Sequence, residues 1–511
     1  MRDDIDGAGG QAAPNDALLT DARLGKKPAD RLQQHYLQAT LKREESKFDE
    51  IIAVDQAHAV MLTETGIISR ETGVALLGQL AKIRRENVDI DVMRGSMLLQ
   101  IEGHLARQIG GEAAGALSTG RSRIDQGATF RRLYERRGLV GVMAQLLELQ
   151  AALIQQAAQH VDTVMPGYTH LQPSQPWVFG HYLLGMAERL DIDLVRLDTA
   201  YAAVNLCPLG TVGGSGSTWP LDRHRVAGLL GFDGIIENAR LGRDIQYTGD
   251  IAAAASMLMA TLNDLATDLQ LWSMQEFRLV ELDASYCGTS SIFPQKKNPV
   301  ALEGVRAAAA GSVQWLANVL SISRGVGSGD LALRGASFLD AALQSTVQMC
   351  DLMTGVIDTL IVHKDRMAES AGEGGTTASN LADTLVRELG LSYRTAHHAV
   401  GTFVRVCLER GLPLTAVSAA EFHAMAGLTC GPRLTDQQLA TSLDPAGFVR
   451  GCRTPGGIAP EEVERLHAAA VERLAGSRNR LEARTSVLDR AETMRAEAIT
   501  AILNASETAT G

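Results

Sequence analysis

The amino-acid sequence predicts an all-α protein: an elongated central bundle of long helices flanked by smaller N- and C-terminal helical domains. Three observations carry that expectation. Five long stretches, at about 127–163, 174–203, 247–279, 300–323 and 338–369, place apolar residues at three- and four-residue steps. Strand-type alternation is scarce along the 511 residues. Glycine-rich breaks interrupt the helical stretches, as in GTVGGSGSTWP (210–220), SRGVGSGD (323–330) and AGEGGTTASN (371–380).

Taken in order, residues 1–27 open with MRDDIDGAGGQAAPND, which is acidic and rich in Gly and Pro. This reads as a mobile segment, and without an apolar core it does not read as a signal peptide. Residues 28–126 carry shorter helical patterns and form an N-terminal helical domain. Residues 127–370 are the central bundle and the core of an oligomer. Within them, Leu139, Met143, Leu146, Leu149, Leu153 and Ala157 form a continuous stripe on a helix of roughly 50 Å. Five such helices cannot each bury a face inside a small globule, so their stripes predict association between copies. Residues 371–511 form a C-terminal helical domain and extension. Its last long stretch, PEEVERLHAAAVERLAGSRNRLEARTSVLDRAETMRAEAITAIL, is charged, helical and partly solvated, and the SETATG end is expected to fray.

Composition excludes several classes. The chain is 45% hydrophobic and 21% charged, as globular proteins are, and its net charge of −11 gives no electrostatic support for nucleic-acid binding. The six cysteines, at 207, 287, 350, 407, 430 and 452, form no CxxC pair and no His/Cys cluster. That pattern predicts free thiols in a reducing, cytoplasmic setting and no structural zinc. No run of about 18 apolar residues is present, so no membrane span is expected.

Three polar junctions beside long helices carry the candidate chemistry. The first is STGRSRIDQGATFRR (118–132), where Gly120, Arg121, Ser122 and Arg123 precede a helix. Free N–H groups, the positive dipole end and forked arginine donors suit a carboxylate or phosphate. An ordinary N-cap with salt-bridged arginines has the same sequence. The second is PGYTHLQPSQP (166–176), where Thr169, His170 and Gln172 sit in a loop between two long helices. Histidine titrates near neutral pH and moves protons, although most loop histidines are simple polar surface. The third is GTSSIFPQKKNPVALEG (288–304), which Gly288, Pro294 and Asn298-Pro299 keep free of any regular element. There Ser290 or Ser291 offers a hydroxyl nucleophile or base, Lys296 a cation and Asn298 an amide. Glu303, near the start of the next helix, offers a carboxylate that can orient a histidine. Solvated loop charge is the plainer reading of the lysines. No GxSxG elbow occurs and no Ser-His-Asp order is evident, so ordinary acyl hydrolysis is not expected.

Together the three segments resemble the blocks of the aspartase/fumarase superfamily, and most closely argininosuccinate lyase, over roughly residues 30–470. LCPLGTVGGSGS (206–217) resembles the Pro-Leu-Gly turn that follows the family's second block. The resemblance implies a mostly-helical homotetramer that cleaves C–N or C–O bonds of succinyl compounds and releases fumarate. Each active site would take its three blocks from three subunits, with no metal and no organic cofactor. Ser290 matches the base that removes the proton next to the substrate carboxylate. Lys296 and Asn298 match the groups that stabilise the resulting aci-carboxylate, the step where preorganised donors contribute most. His170 and Glu303 match a pair acting near the leaving group. Thr169, Ser122 and Arg123 match carboxylate-binding positions, and Ile124, Gln172 and Ser291 complete the implied substrate-binding set. The 288–304 loop matches a mobile lid.

Four departures from the family pattern point away from argininosuccinate. Ile124 replaces a carboxylate-contacting asparagine and has no donor. Thr289 and Phe293 stand where Gly and Met are usual. The stretch SRGVGSGDLALR (323–334) lacks the Tyr and Lys that hold the distal, arginine part of the substrate. GRDIQYTGD (242–250) stands in for a Ser-x-Arg-Asp stretch, out of register. The sequence therefore reads as a lyase that reversibly eliminates fumarate from an N-substituted aspartate with an altered amine end, such as the aminopolycarboxylate ethylenediamine-disuccinate. The alternatives are a true argininosuccinate lyase and, in another class, a non-catalytic crystallin-like structural protein.

Overall fold

The computed structural model describes residues 27–324 and 337–504. The lead-in before residue 27, the departure at 325–334 and the SETATG end lie outside the described residues. The architecture is all-α, with strands confined to short two-stranded ladders.

The N-terminal part contributes α1 (Gln38–Glu45), α2 (Phe48–Glu64), α3 (Arg70–Leu80) and α4 (Met97–Ile109). The bundle is built from α5 (Arg123–Ala158), α6 (Phe179–Val204), α8 (Tyr247–Trp272), α9 (Val300–Ser323) and α10 (Phe338–Asp358), with the short α7 (Arg223–Leu229) between α6 and α8. Helix α5 packs on α6 and α10, and α8 packs on α6, α9 and α10. The stripe read from the sequence is the centre of this core: Leu139, Met143, Leu146, Leu149, Leu153 and Ala157 are all buried. By length and composition α5 is apolar enough to cross a membrane, yet 56% of its apolar window is buried inside the protein, as in a core helix.

Four of the helix boundaries differ from expectation, each for a local reason. Residues 164–178 form a β-hairpin, so α6 starts at Phe179, not near 174, and α5 ends at Ala158, before 163. Helix α8 stops at Trp272, because Val280–Glu281 pairs with Ile361–Val362. That same ladder divides the stretch at 338–369 into α10 and a separate helix, Lys364–Gly372.

A second apolar cluster joins α2, α3 and α4 to Phe130 and Leu133 of α5 and to the 207–232 segment. A third lies among α11 (Ala378–Leu389), α12 (Tyr393–Arg410) and the short helices that follow. The charged C-terminal stretch is one helix, α13 (Pro460–Asn504), of 45 residues. It lies along α5 and α6, held by Arg473–Asp191 at 2.8 Å, Arg478–Glu148 at 2.9 Å and Arg484–Asp198. Its last turns insert Ala498, Ile499 and Ile502 into the second cluster, so α13 ties the N-terminal helices to the bundle.

Truncating that anchor has a predictable cost. Ile499→Ala with Ile502→Ala should destabilise the protein by about 2 kcal/mol or more, as buried large-to-small changes do. Met494→Ala, on the same helix but 41% exposed, should be near neutral. Equal thermal midpoints for the two variants would show that the end of α13 is not an anchor.

Candidate active site

The first segment starts α5. Ser122 is its N-cap: the Ser122 hydroxyl accepts the Ile124 N–H at 3.3 Å, and the Ser122 N–H donates to Asp125 Oδ1 at 2.8 Å. Asp125 also takes the Gln126 N–H at 3.1 Å, and its Oδ2 takes the N–H groups of Gly210 and Val212 at 2.8 and 2.9 Å. One carboxyl with no solvent exposure thus fastens the helix start to the Pro-Leu-Gly turn. Burial pushes its pKa up, and the N–H donors oppose that rise. Gly120 precedes it with a left-handed φ of 70°, where an added Cβ would press on Leu221.

Of the two arginines here, only Arg123 faces outward. Arg121 donates to the buried Asp55 at 2.6 Å, and Gln126 donates to the same oxygen at 2.7 Å. Arg121 is therefore a structural ion-pair partner rather than an anion donor. Ser122, Arg123 and Ile124 line a cleft of about 540 Å³ shared with α1 and the start of α10.

The second segment is the tip of the hairpin, not an irregular loop. Strand β1 (Val164–Thr169) pairs antiparallel with β2 (Gln172–Val178), closing on Thr169 opposite Gln172. The two-residue turn is His170-Leu171, with φ of 54° and 57°. Positive φ at both positions is the type I′ geometry that fits strand twist, and it normally selects Asn or Gly. Here a histidine and a leucine carry the strain, and Leu171 is 76% exposed. The strand also needs Gly167, because a Cβ there would meet Trp177 Nε1 at 2.3 Å. His170 is thus held at an exposed, rigid tip by the surrounding ladder.

The third segment does contain regular structure at its ends. Gly288–Thr289 pairs with Lys297–Asn298, and α9 begins at Val300. The intervening loop is exposed apart from Ser290, which is partly covered. The Ser290 hydroxyl accepts two backbone N–H groups, from Ile292 at 3.2 Å and Phe293 at 3.0 Å. Lys297 anchors the loop through Glu281 at 2.7 Å and the Leu282 carbonyl at 2.6 Å. Among the described residues, the Lys296 and Glu303 side chains make no hydrogen bond or ion pair, and both are exposed. Ser291 is likewise exposed, and Asn298 is half-buried.

Each segment is assembled locally, but the chain does not bring the three together. Among the described residues no hydrogen bond or ion pair joins one segment to another, and His170 and Glu303 are not paired. Ser122 and the hairpin flank opposite ends of α5, whose 36 residues span about 54 Å. A hairpin with strands of six or seven residues covers only about 20 Å even if folded back along the helix. Sequence reading passed over three residues of this arrangement: Asp125, Asp55 and Lys297. Only Asp125 had a local signal, the Ser122-to-Asp125 spacing of a capping box.

The strained turn gives a test with an unusual sign. Leu171→Gly should raise stability by about 0.5–1 kcal/mol, because the left-handed penalty exceeds the entropy cost of glycine and little packing is lost. A lowered denaturation midpoint would mean that the leucine is held by contacts the turn geometry does not explain.

Comparison with known proteins places this geometry. A family model described as "Lyase" matches residues 25–314, and one described as "Argininosuccinate lyase C-terminal" matches 375–450. The argininosuccinate lyase of Methanosarcina mazei is 36% identical over 424 residues, covering 82% of this chain and 85% of that one. Two solved structures, an EDDS lyase in complex with formate and an EDDS lyase variant with bound fumarate, are each 32% identical with a TM-score of 0.85. Each alignment covers 94% of this chain and 97% of the other. With a family model spanning more than half its length and relatives above 30% identity over most of it, the chain belongs to the aspartase/fumarase superfamily, close to argininosuccinate lyase, and is a carbon–nitrogen lyase.

Proposed function

We propose that the protein catalyses reversible β-elimination of fumarate from an N-substituted aspartate, in a homotetramer whose active sites are shared between subunits. The observation that carries the chemistry is the pair of backbone N–H groups on Ser290 Oγ. A serine hydroxyl is too weak a base unless its alkoxide is stabilised, and two preorganised N–H donors supply that stabilisation. Ser290 removes the proton from the carbon beside the substrate carboxylate. The charge spreads onto that carboxylate, where Lys296 and the Asn298 amide answer it. The electron pair then forms the double bond of fumarate as the C–N bond breaks, and the His170–Glu303 pair assists the departing amine. Ser122, Arg123 and Thr169 hold carboxylates, with Gln172 and Ser291 beside them.

The length of α5 supports the shared site. Ser122 and His170 of one chain lie too far apart to meet a small substrate together, so they would come from different copies. The surface has the character such assembly needs: on α9, Val313 is 69% and Leu320 is 62% exposed. All six cysteines are free thiols, which supports a cytoplasmic setting.

For the amine half, the favoured reading is an aminopolycarboxylate such as ethylenediamine-disuccinate. Ile124 faces the cleft with no donor, and the EDDS lyases are among the most similar solved structures. Argininosuccinate is the second reading, favoured by the activity for which the curated relatives are named.

Fumarate release followed by ultraviolet absorbance tests the proposal. Ethylenediamine-disuccinate should be turned over faster than argininosuccinate, and Ser290→Ala should lower kcat by about a thousandfold or more without changing the fold. Full activity in Ser290→Ala would remove the serine from the mechanism. Faster turnover of argininosuccinate would establish the second reading.

A further inference from the structure

Arg123 lines two spaces. One is the cleft of about 540 Å³ described above. The other is a small cavity of about 40 Å³ among α2, α4 and the start of α5, whose charged groups are Asp55, Glu102, Arg121 and Arg123. Two of those four are committed to each other, since Arg121 donates to Asp55 at 2.6 Å. Among the described residues, the other two, Glu102 and Arg123, make no side-chain hydrogen bond or ion pair. Glu102 is half-buried on α4, and Arg123 is exposed.

A half-buried carboxylate without a hydrogen bond is costly, so it favours any cation within reach. Burial pushes the Glu102 pKa up; Arg121, Arg123 and Arg94 pull it back, and Asp55 adds to the rise. Of those three cations, Arg121 is held by Asp55, and Arg94 is paired with Asp91 at 3.6 Å. Arg123 is the one left uncommitted among the described residues. The cavity between it and Glu102 is large enough for a bridging water. Arg123 thus stands between an internal carboxylate on one side and, on the other, the cleft where a substrate carboxylate would lie.

Resting on the elimination reading above, we infer that Glu102 is a positioning residue that competes with the carboxylate of fumarate for Arg123. With the site empty, Glu102 draws the guanidinium toward the small cavity. Substrate draws it into the cleft, and once fumarate has formed Glu102 takes it back and speeds release, a step that often limits turnover. Both residues belong to one chain, so the competition does not require a second copy.

Calorimetric binding of fumarate to purified full-length protein tests this. Glu102→Gln keeps the shape and breaks no hydrogen bond, so the thermal midpoint should hold. Fumarate should bind Glu102→Gln about fivefold more tightly, the scale of one partly exposed ion pair. Glu102→Asp, which withdraws the carboxylate by one methylene, should change affinity in the same direction by less. In an Arg123→Gln background, Glu102→Gln should bring no tightening, because the competition acts through Arg123. Unchanged or weaker fumarate binding by Glu102→Gln would overturn the inference. So would equal tightening with and without Arg123, which would assign the effect to the general field of the carboxylate. Failure of the unsubstituted protein to bind fumarate would overturn the elimination reading and the inference together, whereas binding that Glu102→Gln leaves unaltered would overturn the inference alone.

Discussion

The rest of the structure depends on the length and rigidity of α5. It is one unbroken helix of 36 residues, capped at its start by Ser122 and buried along its length in the bundle. Two of the three segments that carry candidate chemistry sit at its two ends. A rod of about 54 Å cannot bend them together, so one chain does not present both to the same small substrate. On α9, Val313 and Leu320 lie exposed, a surface that the proposed sharing of sites between copies would cover.

Given that constraint, precision has to come from local fixation. At one end, the Asp125 carboxyl gathers backbone N–H groups from the helix start and from the Gly210–Val212 turn, which sets where Ser122, Arg123 and Ile124 face. At the other end, the β1–β2 ladder forces His170 and Leu171 into the left-handed region, an arrangement that persists only because the surrounding pairs over-determine it. In the third segment, Lys297 pins the base of the loop while Ser290 takes two N–H groups at its tip. Each segment is preorganised on its own, as the proposed sharing of the site between subunits requires.

The sequence made the architecture legible because α5 and its partners are long and strongly periodic; the residues read as a stripe on α5 are the buried ones. It was less informative where local signals conflict with tertiary pairing. The β2 strand reads QPSQPWV, and Pro173 and Pro176 argue against a strand, while the His170-Leu171 turn has none of the residues that mark a type I′ hairpin. Neighbouring identical residues were also unresolvable. Arg121 and Arg123 look equivalent until Asp55, 66 residues away, claims the first. Lys296 and Lys297 look equivalent until Glu281 claims the second. In both pairs, a partner distant in sequence decides which cation is structural and which faces outward.

Active-site sharing is the central claim, and subunit mixing tests it most directly. Arg123→Ala and His170→Asn would each be purified as inactive protein, then dissociated, mixed in equal amounts and reassembled. If Arg123 and His170 of one site come from different chains, random mixing leaves about a quarter of the sites with both residues intact, and about a quarter of wild-type activity should return. If they come from the same chain, every site carries one defect and the mixture stays inactive, which would contradict the account.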